Sequence, residues 1–545
     1  MKHFLTYFED VTRQYWHLPA LSNLHGLTYS YADIAENICK LHILFRKTGV
    51  KPGDKIALVG RNTSQWGNIF LAISTYHAVA VPLLPNFTAD SITRLTAHSD
   101  SVILFIDKKI LNSGVTPEDI PGLRLVVETD NYTPLYFSSS EYELTMEDID
   151  AEFRKTYPNG LTPDLIHFAS DEEEELAIIS YTSGTTGNPK GIMLPARSIS
   201  ANIDFSQRTL PSSPRNRCLS MLPLAHMFGF IVEFLYPLLG GCHIFFLDKA
   251  PTPSVLLRAF NEVRPYLFVT VPLVMEKLIK GKVMPLLDRP AVKYLTKIPL
   301  IDKLIYRKIH KKIMKAFGGN VVLIPMGGAA LSRPVEKLLH KIGLPFTVGY
   351  GMTECGPLVA YVDWKDFVQT SCGRVVDTLK VRIDTSDQQH EIGEIQVSGP
   401  NVMLGYYKDP ESTKSAFTHD GWLRTGDLGI IDKNGNIFIK GRCKCMILTS
   451  NGQNIYPEEI ESLINDLPHV AESLVINREK QLIALISLSE QDKDIADSQA
   501  DSLCKEVQSN INAVLPKYSQ IAKVEIIREG FKHTPKHSIK RGLYS

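Results

Sequence analysis

The order of apolar and polar residues changes character along the chain. Between residues 27 and 107, stretches with helical apolar spacing alternate with short apolar runs. "YSYADIAENICKLHILFRKTG" keeps its apolar residues on one helical face and stops at a Gly, which predicts a helix. "DKIALVG" predicts a short buried strand, "SQWGNIFLAISTYHA" a second helix, and "VAVPLLP" and "SVILFID" two more strands. Strands that alternate with helices predict a parallel sheet with helices packed on its faces.

The acidic run 171–175 reads as a solvated turn, followed by an apolar strand over Leu176 to Tyr181 and a loop rich in Gly. Further alternation runs from 218 to 360, where "VVLIPMGGAAL" and "PFTVGYGMTE" are both a strand that empties into a Gly loop. Open sheets bind ligands at the carboxyl ends of their strands, so these loops are candidate sites. From 371 to 440 the pattern becomes short β segments with Gly turns, a small antiparallel unit. After Arg442 comes a compact α+β tail.

Composition narrows the class. The hydrophobic share is 44% and the charged share 22%, as in ordinary globular proteins. Lys plus Arg and Asp plus Glu each number 59, so the balance points away from nucleic acid. No apolar run reaches membrane-span length, and the N-terminus lacks the features of a secretory signal. The eight scattered Cys suit a reducing, cytoplasmic compartment. Cys443 and Cys445 lack partners at zinc spacing.

The loop "YTSGTTGNPKG" (181–191) has the chemistry of a phosphate cradle: Gly for close backbone approach, hydroxyls as donors, and a Lys for charge. It is not a Walker loop. Counting from Gly184, the sixth residue is Pro189, and Lys190 precedes Gly191 rather than Ser or Thr.

The loop resembles the phosphate-loop signature of the adenylate-forming superfamily, which includes acyl-CoA synthetases. Other segments resemble that superfamily in the same order: "LPLAHMFG" (222–229), "GGAAL" (327–331), "GYGMTE" (349–354), "GWLRTGDLG" (421–429) and "KGRCKCMILTSNGQNIYPEEIE" (440–461). The resemblance implies an α/β fold: a large domain over 1–441, with two doubly wound sheet subdomains and a small β-barrel, then a small mobile α+β domain over 442–545. It also implies ATP and CoA as co-substrates and Mg²⁺ as cofactor.

Roles follow from the resemblance position by position. Thr182, Ser183, Gly184, Thr185, Thr186 and Lys190 would hold the β and γ phosphates. Gly327, Gly328 and Ala329 would run along the nucleotide, with Gly349 in the next loop. Tyr350 would stack on adenine. Thr353 would meet the α-phosphate, and Glu354 would bind Mg²⁺ together with the Thr182 hydroxyl. Asp427 would accept from the ribose hydroxyls, with Arg442 beside it. His226 would border the carboxylate, and Phe230 would gate an acyl tunnel. Lys444 would be the hinge, and Gly452 would line the CoA tunnel.

The chain departs from the family near its end. The superfamily usually has a catalytic Lys where this sequence has Ser538, and Lys536 and Lys540 flank that position. Residues two apart share a face of an extended strand, so either could reach the site. Cys445 also replaces a residue that is often acidic.

The stretch from Lys303 to Leu331 resembles the long-chain fatty acyl branch. In it, Lys303, Arg307, Lys308, Lys311, Lys312 and Lys315 alternate with Leu304, Ile305, Ile309, Ile313 and Met314. A basic amphipathic helix of this kind either rests on an anionic inner membrane surface or packs its apolar face into the core. The activity implied is ATP-dependent ligation of a medium- to long-chain fatty acid to CoA. The alternatives are an acyl-AMP ligase that loads an acyl carrier protein, and an adenylate-binding protein with weakened catalysis.

Overall fold

The computed structural model describes residues 1–182, 189–247, 249, 252–448, 454–478, 481–489, 492, 495–533 and 539–544. Its largest sheet has eight strands, in the order Gly405–Tyr406, Lys190–Pro195, Leu176–Thr182, Val79–Leu83, Lys55–Val59, Ser101–Ile106, Leu125–Glu128 and Pro134–Phe137. The strands from Leu176–Thr182 to Leu125–Glu128 run parallel, and the sheet turns antiparallel beyond each of them. The strands read in "DKIALVG", "VAVPLLP" and "SVILFID" and over Leu176 to Tyr181 are all in this sheet.

Local chemistry sets the helix ends. Helix Tyr31–Lys47 starts on a capping box between Ser30 and Asp33, and Gly49 follows its end at φ 69°. Helix Ser64–Thr75 is buried along its whole length, because it lies between the large sheet and a second one.

The second sheet contains Thr28–Ser30, Pro19–Asn23, His243–Phe246 and Arg217–Ser220. Parallel bridges at Leu267 and Thr270 carry it on to strands Ile324–Met326 and Phe346–Val348. The two strand-and-Gly-loop units therefore emerge side by side. A third layer is antiparallel. Strands Lys380–Ile383, Gly393–Ser398, Leu423–Ile431 and Ile437–Arg442 form one sheet, and a bridge from Arg374 to Asn436 joins it to a three-stranded one.

The tail is α+β. Strands Val470–Arg478, Gln481–Leu488 and Lys523–Ile526 carry helices Pro457–Asn465 and Asp497–Asn512. Arg541 pairs with Glu461 and stands 3.7 Å from Glu458, which ties the last described segment to the first helix of the tail.

The basic helix is Ile301–Ala316. Ile309 and Ile313 are buried in the core, and Ile305 and Met314 pack against it. Leu304 alone among the expected apolar residues stays outside, at 65% exposure. The apolar face is thus used inside the protein and is not available to a membrane.

Candidate functional site

The two Gly loops meet through the backbone. The Gly349 N–H donates to the Met326 carbonyl at 2.8 Å, which holds the start of "GYGMTE" against the start of "GGAAL". Gly328 has φ 87° and carries its loop outward, where Gly328 and Ala329 are exposed. A Cβ on Gly327 would lie 3.4 Å from the Phe228 ring, so that ring covers the turn.

Tyr350, Asp427 and Arg442 form one cluster. The Tyr350 hydroxyl donates to Asp427 Oδ2 at 2.7 Å, and Arg442 Nε lies 3.2 Å from Asp427 Oδ1. Asp427 and Arg442 are paired across adjacent antiparallel strands, which fixes their approach. Burial raises the Asp427 pKa, and Arg442 and the Tyr350 hydroxyl oppose that rise. Burial pushes the Tyr350 hydroxyl well above its ordinary pKa, so it remains a donor.

A second cluster forms around Tyr406. Its hydroxyl donates to Glu354 Oε1 at 3.1 Å, and Lys190 Nζ stands 4.8 Å from its ring centroid. Lys190 also donates to Ser412 Oγ at 2.6 Å and lies 3.8 Å from Asp409. Thr182 pairs with Lys190 across two strands, which puts both beside the loop they flank. Burial beside the Glu354 carboxylate raises the Tyr406 pKa.

Tyr406, Ser412 and Asp409 are not legible as site residues in the sequence. "GYYKDPES" carries no motif chemistry. The strand pairing of Tyr406 with Ile192 brings it to Lys190, and that pairing spans more than two hundred residues. Asn202 is a similar case. Its amide donates to the Cys355 carbonyl at 3.0 Å and accepts from Leu358 N–H at 2.9 Å, which supports the segment after Glu354.

His226 ends a loop held from two sides. Glu233 Oε2 accepts from the Met221 and Leu222 amides, both at 2.8 Å, and from Ser220 Oγ at 3.2 Å. Asn62 donates to the Leu222 carbonyl at 2.7 Å and accepts from Leu224 N–H at 3.0 Å. Glu233 sits in a six-residue π-helical stretch, Phe230–Leu235, and burial pushes its pKa up to about 8. Such π stretches often occur at functional sites.

Phe230, expected at the acyl gate, is a core side chain. It is 1% exposed, 4.6 Å from Phe70 and 5.9 Å from Phe234 between ring centroids. The half-buried ring at the Gly327 turn is Phe228. Thr353 opens a short 3-10 turn with Glu354 and is half-buried. Lys444 is exposed in the turn Cys443–Cys445, just past Arg442. Lys540 is exposed, and no hydrogen bond or ion pair among the described residues joins it to Thr353, Glu354 or Asp427. Ser183, Gly184, Thr185, Thr186, Gly452, Lys536 and Ser538 lie outside the described residues. Among the described residues there is no cluster of His, Cys, Asp and Glu able to hold a metal alone, and no helix long and apolar enough to cross a membrane.

Comparison with known proteins gives the same outline. The family profile described as AMP-binding enzyme matches residues 8–407, and that of the AMP-binding enzyme C-terminal domain matches 445–544. The human protein named long-chain-fatty-acid–CoA ligase 1 is 30% identical over 84% of this chain and 69% of its own length. Long chain acyl-CoA synthetase 7, peroxisomal, of Arabidopsis thaliana is 28% identical over 85% of this chain and 68% of its own. Among solved structures, ATP-bound MatB from Rhodopseudomonas palustris aligns with TM-score 0.77 at 23% identity, covering 100% of this chain and 98% of that one. The AMP complex of O-succinylbenzoate coenzyme A synthetase from Bacillus subtilis aligns with TM-score 0.75 at 21% identity, covering the same shares.

Proposed function

Because the chain belongs to the AMP-binding enzyme family and is an acid–thiol ligase, we propose that its substrate is a medium- to long-chain fatty acid. In the first step a carboxylate oxygen bonds to the α-phosphorus of ATP and pyrophosphate leaves. In the second, the CoA sulfur bonds to the acyl carbon, AMP leaves, and the product is acyl-CoA. The observation that carries this reading is the placement of the Tyr350–Asp427–Arg442 and Lys190–Tyr406–Glu354 clusters around the Gly loops. The chain length is supported by the names of the related long-chain ligases.

The residues divide the work by chemistry. Asp427 offers a carboxylate oxygen to the ribose hydroxyls, and Arg442 keeps charge beside it. Tyr350 presents an aromatic face to adenine while its hydroxyl braces Asp427. Lys190 and the loop 182–186 neutralise the departing pyrophosphate. Gly328, Ala329 and Gly349 give close backbone approach. Thr353 meets the α-phosphate, and His226 borders the carboxylate. Electrostatic groups aimed at developing charge account for much of such rate enhancement.

Glu354 and Thr182 are oxygen donors, and Glu354 Oε2 accepts no hydrogen bond among the described residues. That donor set fits Mg²⁺, a hard cation bound by one or two carboxylates plus substrate phosphates. When bound, the ion would offset phosphate charge. Lys444 serves as a hinge between units 1–441 and 442–545, and Gly452 and Lys540 or Lys536 act in separate poses of the tail.

The deciding experiment measures pyrophosphate and acyl-CoA formation with ATP, Mg²⁺, CoA and fatty acids of graded length, beside Ser538→Lys. Equal amounts of both products from wild type are expected. Pyrophosphate without acyl-CoA, but with loading of an acyl carrier protein, would assign the acceptor differently. Release from Ser538→Lys alone would indicate an adenylate-binding protein with weakened catalysis.

A further inference from the structure

Strand Arg217–Ser220 ends in the loop that carries His226. Ligand sites of open sheets lie at the carboxyl ends of strands, and loops there are ordinarily the mobile part of a scaffold. This loop has little freedom left. Its backbone donors at Met221, Leu222 and Leu224 and its acceptor at Leu222 are all bonded to two side chains, Glu233 and Asn62.

The two holders are linked. Asn62 donates to Ser220 Oγ at 3.2 Å, and Ser220 Oγ donates to Glu233 Oε2 at 3.2 Å. Asn62 stands just past strand Lys55–Val59 of the large sheet, and Glu233 stands in the stretch Phe230–Leu235 beyond the loop. The loop is thus gripped from the large sheet on one side and from its own returning helix on the other. Aromatic packing fixes the second grip: the Phe230 and Phe234 rings lie 4.6 Å and 6.2 Å from that of Phe70. A further constraint is steric. A Cβ on Gly229 would lie 2.9 Å from Leu222 Cβ and 3.0 Å from the Pro223 carbonyl oxygen, so the helix start rests directly on the loop.

A carboxyl group is costly where Glu233 stands. The residue is 1% exposed, and its Oε1 has no hydrogen-bond partner among the described residues. Burying such a group opposes folding unless its hydrogen bonds offset the loss of water. The bonds it makes among the described residues all go to residues 220–222. Its polar chemistry therefore serves that one loop.

We propose that Glu233 and Asn62 are positioning residues for activation of the carboxylate. They hold residues 220–226 so that the His226 side chain keeps its place at the acid when ATP occupies the Gly loops. The inference rests on the reading of His226 as the residue that borders the carboxylate. Its physical basis is geometric, since reacting groups must be held by side chains that are themselves locked in place.

The test is steady-state pyrophosphate release with octanoate and ATP, each varied in turn. The variants are Asn62→Ala, Glu233→Leu, Glu233→Gln and His226→Ala, with the doubles that join His226→Ala to Asn62→Ala and to Glu233→Leu. kcat/KM for octanoate should fall roughly ten- to a hundredfold in Asn62→Ala and in Glu233→Leu, while KM for ATP stays at its wild-type value. Glu233→Gln keeps an acceptor oxygen for the Met221 and Leu222 amides and should restore most of the loss. In the His226→Ala background the same substitutions should cost little more, because residues that act through one group are not additive. A purely structural role would lower the melting temperature and the active fraction, and would leave KM for octanoate unchanged and the losses additive. Additive losses, or an equal rise in both KM values, overturn the proposal. Asn62 is half-buried, so Asn62→Ala decides the matter if Glu233→Leu does not fold. His226→Ala with no effect on KM for octanoate would overturn the role of His226 on which the inference rests. A wild type that converts benzoate but no fatty acid would count against the fatty-acid reading alone, the cycle then being read with benzoate.

Discussion

The Tyr350 hydroxyl donates to the Asp427 carboxylate at 2.7 Å, joining two segments 77 residues apart. In the proposed reading, Tyr350 meets the base of the nucleotide and Asp427 its ribose. The bond orients an acid that burial would otherwise drive toward its neutral form. Tyr350→Phe keeps the ring and removes that brace. Asp427→Asn removes the charge. Hydrogen bonds to charged groups contribute about 1.5–3 kcal/mol, so Asp427→Asn should raise KM for ATP by roughly ten- to a hundredfold. Tyr350→Phe should have a smaller effect. Steady-state kinetics at varied ATP would check both, and an unchanged KM in Asp427→Asn would remove Asp427 from the nucleotide site.

Tyr406 receives two contributions, one at its hydroxyl and one over its ring. Tyr406→Phe removes the donor to Glu354 and retains the ring that faces Lys190. Tyr406→Ala removes both. The Mg²⁺ concentration for half-maximal pyrophosphate release should shift in both variants. The defect in KM for ATP should be larger in Ala, since a cation–π contact is worth about 0.5–2 kcal/mol. Equal behaviour of the two would mean the ring face contributes nothing.

Glu233 makes stability depend on pH. Its pKa is raised to about 8 in the folded chain, against an ordinary value of 4.5. The folded state keeps the proton that the unfolded state releases. The stabilisation is therefore fully present below the ordinary value, and is lost as pH rises through about 8. Glu233→Gln retains an acceptor for the Met221 and Leu222 amides and cannot ionise. Urea midpoints of wild type should fall between about pH 5.5 and about pH 8.5 by more than those of the Gln variant. Parallel curves for the two proteins would show that Glu233 does not retain its proton.

Phe230 offers a test of core against gate. Phe230→Ala would leave a void beside Phe70 and Phe234 and should cost about 3–5 kcal/mol of stability. Phe228→Ala, at a half-buried ring over Gly327, should cost less stability and change the chain-length profile more. Chemical denaturation together with activity on graded acids would separate them. A stable Phe230→Ala with an altered length profile would restore Phe230 as the gate.

Fold class was legible because periodicity is local. The strands at 55–59, 79–83 and 101–106 and the helices between them are written in residue spacing. The Gly loops were legible as ligand loops for the same reason: Gly and Lys in sequence carry the chemistry of a phosphate cradle wherever the chain goes. Motif order extended this to the family.

What remained hidden depends on distant strands. Tyr406 gains its place from pairing beside Lys190–Pro195, and nothing in "GYYKDPES" specifies that neighbour. Phe230 and Phe228 differ by two positions in one apolar run, and only the helix rotation, with its π-helical stretch, sends one ring inward and leaves the other over Gly327. The helix 301–316 has two amphipathic sides in sequence. The core took the side with Ile309 and Ile313, which left the cations with Leu300 and Leu304 outside. Spacing along a chain sets which residues share a face; which face meets core, ligand or solvent is set by long-range packing, where burial of apolar area decides among the local options.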